Sequence, residues 1–153
     1  MASLLDQPLY LYSIPAVFVT AFYPGSLKFL KINNSVGYNN VAPRSNTPKN
    51  FQGKVTSGDA QLLDRMEGAH QNGNENTSIW YAAIIVGNIA GLDNRYLNTM
   101  ALTYVATRLV YNTVYMHFNH LGSGWVRTAL YFFGLSHPLR ILFKAAGAVA
   151  SRG

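Results

Sequence analysis

The stretch DRMEGAHQNGNENTSIWYAAIIVGNIAG, from Asp64 to Gly91, decides the fold that we expect, because its two halves differ in polarity. The first half, as far as Asn76, carries charges, a histidine and asparagines, whereas the second is almost entirely apolar. The apolar run from Thr77 to Leu92 is about one helical turn shorter than the roughly 20 residues that a membrane-spanning helix needs. The polar half is therefore expected to lie at or just inside a membrane interface, where polar side chains need partners.

The composition of the whole chain also indicates a membrane protein. Of the 153 residues, 49% are hydrophobic and only 12% are charged, about half the charged fraction of a typical soluble domain. A soluble bundle is disfavoured, because so few charges cannot coat the outer faces of four helices. We predict an all-α fold, an integral membrane four-helix bundle that forms a single domain over residues 1–153. The expected spans are the four apolar stretches 9–32, 77–92, 96–118 and 125–149.

The basic residues predict the topology of the chain rather than binding to nucleic acid. The formal charge is +6, but the twelve lysines and arginines form no long basic run and no nucleic-acid-binding motif accompanies them. Four of them lie in or beside the loop that we expect at about residues 33–58, namely Lys31, Arg44, Lys49 and Lys54, whereas the turn after the second span has only Arg95. The positive-inside bias therefore places the first loop in the cytosol. The N-terminal residues lack the basic segment and cleavage site of a signal peptide, so the first span is expected to be retained.

The absence of cysteine from the sequence limits the chemistry that the chain can perform with its own side chains. Thiolate metal sites and a protein thiol nucleophile are both excluded, so any thiol chemistry must use a borrowed thiol. His70, His117 and His120 do not have the i, i+4 spacing of a helical zinc pair, so no metal site is predicted.

Polar residues cluster on single faces of the last two predicted helices. Arg108, Tyr111 and Tyr115 follow one another at i, i+3 and i+7, and Arg127 and Tyr131 are four positions apart in the last span. All five lie toward the cytosolic half, where two arginines favour an anionic ligand. Tyrosines at this level are also typical membrane-interface anchors, so a purely structural role stays open.

Glu75 and Arg108 are predicted to be partners of each other. Counting about 1.5 Å per residue from the turn between the second and third helices places the two charges at nearly the same depth. Either charge is costly at that depth without a partner. We therefore expect an ion pair between them, either as a structural clamp or as part of a binding site.

These patterns together resemble those of a known family. The series D-R-x-x-x-A-H-x-N-x-x-E-N, from Asp64 to Asn76, resembles the signature of the MAPEG family, the membrane-associated proteins in eicosanoid and glutathione metabolism. The series R-x-x-Y-x-x-x-Y, which begins at Arg108, and R-T-x-x-Y, which begins at Arg127, are similar to that family's third and fourth helices. The similarity covers roughly residues 57–146.

The resemblance implies a homotrimer of four-helix bundles in the endoplasmic reticulum or another endomembrane. Its partners are then the lipid bilayer and a lipophilic small-molecule substrate, without nucleic acid. Glutathione is implied as a co-substrate held between neighbouring subunits near the cytosolic face, with Arg127 beside its sulfur as the catalytic residue. The positions that match the family pattern, and that the resemblance implies as glutathione-binding, are Arg65, His70, Asn72, Glu75, Arg108, Tyr111, Tyr115, Thr128 and Tyr131.

Two functions stay open at this point. The first is a glutathione-dependent membrane transferase or peroxidase that acts on lipophilic electrophiles, in which Arg127 stabilises the glutathione thiolate. The second is a non-catalytic MAPEG-like membrane protein that binds a lipid or a partner protein in the same intersubunit groove. Glutathione-binding relatives usually carry further arginines at the positions of Gly68 and Gln71, and these two departures favour the second function.

Overall fold

The chain forms a bundle of four long helices, as predicted. A computed structural model describes residues 4–152, and these residues contain no strand. The all-α class and the number of long helices are therefore confirmed. The helices are α1 Ser13–Ser35, α2 Ser57–Ile89, α3 Asn94–His117 and α4 Leu121–Ala150.

The surface of the bundle mixes apolar and polar side chains. Within residues 4–152, none of the helices contains a stretch that is long and apolar enough to cross a membrane. Polar side chains interrupt the apolar stretches noted in the sequence, for example Lys28 in α1 and Arg108 in α3. Large apolar side chains such as Phe18, Phe132 and Phe143 are exposed on the outer faces of the helices.

Helix α2 is one continuous helix that begins well before its apolar half. Thr56 caps it, because the Thr56 hydroxyl accepts a hydrogen bond from the backbone N–H of Asp59 at 3.1 Å. The helix contains 33 residues, which at a rise of about 1.5 Å per residue gives a length of about 50 Å. The polar stretch from Asp64 to Asn76 thus lies on the same helix as the apolar run that follows it.

The core of the bundle is built around two large aromatic residues. The rings of Trp80 in α2 and Tyr104 in α3 are stacked with centroids 4.0 Å apart, and Trp80 Nε1 donates a hydrogen bond to Ser13 Oγ in α1 at 3.1 Å. Close to this core, α1 and α2 approach each other so tightly that a Cβ atom on Gly73 would lie 2.6 Å from the Cα atom of Ala21. Only glycine allows the two backbones to come this close.

The connection between α1 and α2 is ordered by asparagine side chains. Buried Asn46 donates hydrogen bonds to the carbonyls of Asn39 and Pro43 at 2.9 and 2.8 Å, and its Oδ1 accepts from the Asn39 backbone N–H at 2.9 Å. Two 3-10 helices, Pro43–Ser45 and Pro48–Phe51, complete the connection. The irregular loop expected at about 33–58 thus has a defined conformation, because side-chain amides supply the hydrogen bonds that regular secondary structure would otherwise make.

Candidate functional site

Helices α2 and α3 meet along a polar seam. Arg65 Nε donates a hydrogen bond to the Met116 carbonyl at 2.9 Å, and Asn72 Oδ1 accepts one from Arg108 Nη1 at 3.0 Å. Residue numbers rise along α2 while those of its partners fall along α3, so the two helices are antiparallel. Gly68 lies between these two contacts, three residues after Arg65 and four residues before Asn72. This spacing places the three residues on one face of α2.

Arg108 is a buried cation with an incomplete set of partners. Arg108 is 4% exposed, and its guanidinium carbon lies 4.8 Å from the centroid of the Tyr111 ring. Within the part of the chain that the structure describes, Arg108 Nη2 has no hydrogen-bond partner. A buried donor without a partner is costly, so the hydrogen-bonding capacity of the Arg108 guanidinium is only partly satisfied within the described residues.

The ion pair predicted between Glu75 and Arg108 is not formed. Glu75 is exposed, and the side-chain hydrogen bond of Arg108 goes to Asn72 instead. The prediction was wrong because depth along the helix axis does not determine direction around it, and consecutive residues of an α-helix are turned by about 100°. Glu75 is therefore available to solvent or to another molecule.

Arg127 of α4 lies against an aromatic side chain of α3. Its guanidinium carbon is 4.4 Å from the centroid of the Tyr115 ring, a distance typical of a cation–π interaction. The Tyr115 ring in turn meets the Tyr111 ring edge to face, with centroids 5.6 Å apart. Four side chains therefore form a continuous series of contacts, which we name the arginine–tyrosine chain: Arg108, Tyr111, Tyr115 and Arg127.

Tyr131 and Thr128, the other predicted site residues of α4, lie in different surroundings. Tyr131 is half-buried and lies in the neighbourhood of Tyr111, and its ring meets the Phe132 ring edge on with centroids 5.3 Å apart. Thr128 is exposed, and its hydroxyl donates to the Gly124 carbonyl of the same helix at 3.1 Å. Tyr131 thus extends the set of tyrosines, while the Thr128 hydroxyl is engaged within its own helix. Their roles toward glutathione remain predictions.

His70 faces α1 rather than the arginine–tyrosine chain. Its Nδ1 atom lies 2.8 Å from the Ala21 carbonyl oxygen, and its Nε2 atom lies 3.2 Å from Asn74 Nδ2. The Phe22 ring packs edge on against it with centroids 6.1 Å apart. His70 and Asn72 belong to one sequence signature but point to different helices, because they are two positions apart on α2.

A cavity of about 960 Å³ lies between α1, the following loop and the first half of α2. An ion pair between Lys28 Nζ and Glu67 Oε2 at 2.8 Å lines it, and Gln71 Nε2 donates to Glu67 Oε1 at 2.8 Å. Burial raises the pKa of Glu67, but hydrogen bonds from Lys28 and Gln71 outweigh it and hold the pKa below its usual value. Sequence reasoning missed this pair, although a lysine inside the apolar stretch 9–32 was a visible signal.

Asn112 is a second buried polar residue that sequence reasoning missed. It is fully buried, and its Nδ2 donates to the Thr20 carbonyl of α1 at 2.7 Å. In the described part of the chain, its Oδ1 atom has no hydrogen-bond partner. The signal available in the sequence was its position four residues after Arg108, which places both on one face of α3.

The fold and the site define a four-helix bundle with a cationic, tyrosine-lined site contributed by α2, α3 and α4. The model of the MAPEG family matches residues 9–147, so the chain belongs to the MAPEG family. Proteins of this family are generally membrane-embedded, and their roles lie in glutathione-related transferase or peroxidase reactions or in eicosanoid metabolism. No curated protein and no solved structure matches the chain.

Proposed function

We propose that the protein is a glutathione-dependent membrane transferase or peroxidase that acts on lipophilic electrophiles through a thiolate stabilised by Arg127. The observation that carries this proposal is the position of Arg127 against Tyr115, at one end of the arginine–tyrosine chain. Among residues 4–152, Arg127 forms no ion pair with a carboxylate. A guanidinium in this state is available to an anionic ligand.

The proposed chemistry needs one favourable electrostatic contact. A free thiol has a pKa of about 8.5, so only a small fraction is ionised at neutral pH. Arg127 stabilises the thiolate, and the thiol proton leaves to solvent. In the transferase reaction the sulfur electron pair forms a bond to the electrophilic carbon while the leaving group departs with its bonding pair. In the peroxidase reaction the sulfur attacks the terminal peroxide oxygen, the O–O bond breaks, and the alkoxide takes a proton from solvent and leaves as the alcohol. A second glutathione thiol then attacks the sulfur of the resulting sulfenic acid, which gives glutathione disulfide and water.

The proposal includes membrane embedding and a homotrimer that shares its sites between subunits. Exposed apolar side chains such as Phe18, Phe132 and Phe143 support a surface covered by lipid or by a neighbouring subunit. Exposed Glu75, close in sequence to the Arg108 partner Asn72, supports a site that a second molecule completes. We place the trimer in the endoplasmic reticulum or another endomembrane.

Detergent-corrected light scattering of the purified protein tests the shared site. We expect a trimer, and we expect glutathione binding to be lost under conditions that dissociate it. A monomer that binds glutathione as tightly as the assembled protein contradicts a site shared between subunits.

One observation favours a second function, a non-catalytic membrane protein that binds a lipid or a partner protein in the same groove. The Gln71 amide is engaged with Glu67 on the α1 side of the helix, and Gly68 has no side chain to offer. The seam between α2 and α3 therefore presents few groups to the two carboxylates of glutathione, which lowers the expected affinity.

Substitution of Arg127 separates the two functions. For the enzyme we expect a thiolate absorbance band when glutathione is added to the wild type, a weaker band in Arg127→Lys and none in Arg127→Ala. The lysine keeps the charge but loses the planar arrangement of donors. The rate of conjugation to an aryl halide falls in the same order, and Arg140→Ala, at an exposed arginine of the same helix, behaves as the wild type.

Two results of this experiment decide against the enzyme. If calorimetry shows that glutathione binds the wild type without a thiolate band, the non-catalytic function is favoured. If Arg127→Ala conjugates the aryl halide as fast as the wild type, Arg127 is not catalytic.

A further inference from the structure

We propose that Gly68 is a positioning residue: by lacking a side chain, it seats the Tyr115 hydroxyl against α2, and through the Tyr115 ring it places Arg127. This inference deepens the proposed function and rests on it for its catalytic consequence. The placement itself is a property of the fold and has a test of its own.

The space at Gly68 is filled by the end of the Tyr115 side chain. A Cβ atom built on Gly68 would lie 2.5 Å from the Tyr115 hydroxyl oxygen and 3.0 Å from the ring atoms Cε1 and Cζ. Favourable contacts between carbon atoms are about 3.5–4.0 Å long. Even a methyl group at position 68 therefore requires the Tyr115 ring to move.

The conformation of α2 gives no other reason for glycine at this position. Gly68 lies in the interior of a regular helix and has no positive φ, and glycine is less favourable than alanine in such a place. The close approach of the Tyr115 hydroxyl supplies the reason that helix geometry does not.

The Tyr115 side chain joins three helices through one rigid ring. Its hydroxyl end lies on Gly68 of α2, its edge-to-face partner is Tyr111 of its own helix α3, and its ring carries the Arg127 guanidinium of α4 at 4.4 Å. Because an aromatic ring moves as one body, a shift at its hydroxyl end displaces the surface against which Arg127 rests. Gly68 thus influences Arg127 without touching it.

A direct measurement of the Arg127 environment tests the placement without any catalytic assay. Phenylglyoxal modifies accessible arginines, and peptide mass spectrometry reports the rate at Arg127 separately. We expect Gly68→Ala to increase this rate severalfold. Gly147→Ala, at a helical glycine whose added Cβ would meet nothing within 4 Å, leaves the rate unchanged. An unchanged rate in Gly68→Ala overturns the proposal.

The pH dependence of conjugation tests the catalytic consequence. In Gly68→Ala we expect the rising limb of the rate profile to shift to higher pH by up to one unit, which is about a tenfold loss of rate on that limb. Glutathione affinity, measured by calorimetry, changes much less. If the Gly68→Ala protein is less stable but keeps the wild-type pH profile, its role is packing alone and the proposal is overturned.

Removal of the Tyr115 hydroxyl provides the rescue. In the Tyr115→Phe background the 2.5 Å contact with a new Cβ is absent, so Gly68→Ala is expected to lower the melting midpoint less than it does in the wild type. Equal effects in the two backgrounds overturn the proposal. If the wild type gives no thiolate band, the proposed function fails. The phenylglyoxal experiment still decides whether Gly68 positions Arg127, and the melting experiment still decides whether Gly68 makes room for the Tyr115 hydroxyl.

Discussion

Replacement of Asn72 by alanine tests the polar seam most directly, because it removes the one side-chain hydrogen bond of a buried guanidinium. Arg108 is 4% exposed, and its Nη1 donates to Asn72 Oδ1 at 3.0 Å while Nη2 has no partner in the described residues. A hydrogen bond to a charged group contributes about 1.5–3 kcal/mol. A loss of about 2 kcal/mol in a chain of this length lowers the melting midpoint by about 4–8 °C.

Thermal unfolding in detergent, followed by circular dichroism, measures this shift for Asn72→Ala. Asn34→Ala, at an exposed asparagine of α1, is the matched control and is expected to melt as the wild type. Asn72→Asp is expected to melt at or above the wild-type midpoint, because a carboxylate gives a charge-assisted bond to Arg108. In an Arg108→Met background the hydrogen bond to Asn72 is already absent, so Asn72→Ala should lower the melting midpoint only slightly. A midpoint within about 1 °C of the wild type for Asn72→Ala would refute the assigned contact.

Three further outcomes follow from described contacts. Glu75→Ala should change the free energy of unfolding by less than about 0.5 kcal/mol, because Glu75 is exposed; a loss above about 3 kcal/mol would restore the ion pair expected from the sequence. The pKa of Glu67 is lowered in the folded protein, so ionised Glu67 stabilises the fold above its unfolded pKa, about 4.3, and this stabilisation is lost as the pH falls through the folded pKa. Glu67→Gln should therefore lose less stability than the wild type when the pH falls through this range. Parallel curves of stability against pH for the two proteins would contradict this prediction. Gly73→Ala, whose Cβ would meet Ala21 Cα at 2.6 Å, should lower the free energy of unfolding by about 1–3 kcal/mol, whereas Gly147→Ala should not lower it. Equal midpoints of chemical denaturation for the two variants would argue against the close approach of α1 and α2.

The residues on α3 show how much of the site can be predicted from sequence. The spacing of Arg108, Tyr111 and Tyr115 predicted a common helix face, and in the structure their side chains contact one another in that order. The four long helices followed in the same way from apolar stretches separated by one long polar loop and two short turns. Both inferences depend only on the geometry of a single helix, which is the same in every protein.

The contacts between helices could not be predicted in this way. Asn72 and Glu75 lie within one turn of α2, and only the packed structure shows that Asn72 faces Arg108. His70 belongs to the same signature but contacts α1. Gly68 was noted as a departure from a family pattern, and its contact with Tyr115 depends on how two helices are packed. Each of these depends on rotation about the helix axis, which residue spacing alone leaves undetermined.

The polar seam between α2 and α3 has a consequence for insertions and deletions in the chain. Arg65, Gly68 and Asn72 all meet α3, because gaps of three and four residues return to the same side of a helix. One residue inserted between Gly68 and Asn72 would leave the first two contacts in place but turn Asn72 by about 100° away from Arg108. Changes in the length of this segment are therefore tolerated only in steps close to whole helical turns. A substitution on an exposed face does not rotate the rest of the helix, so it leaves the contacts with α3 in place.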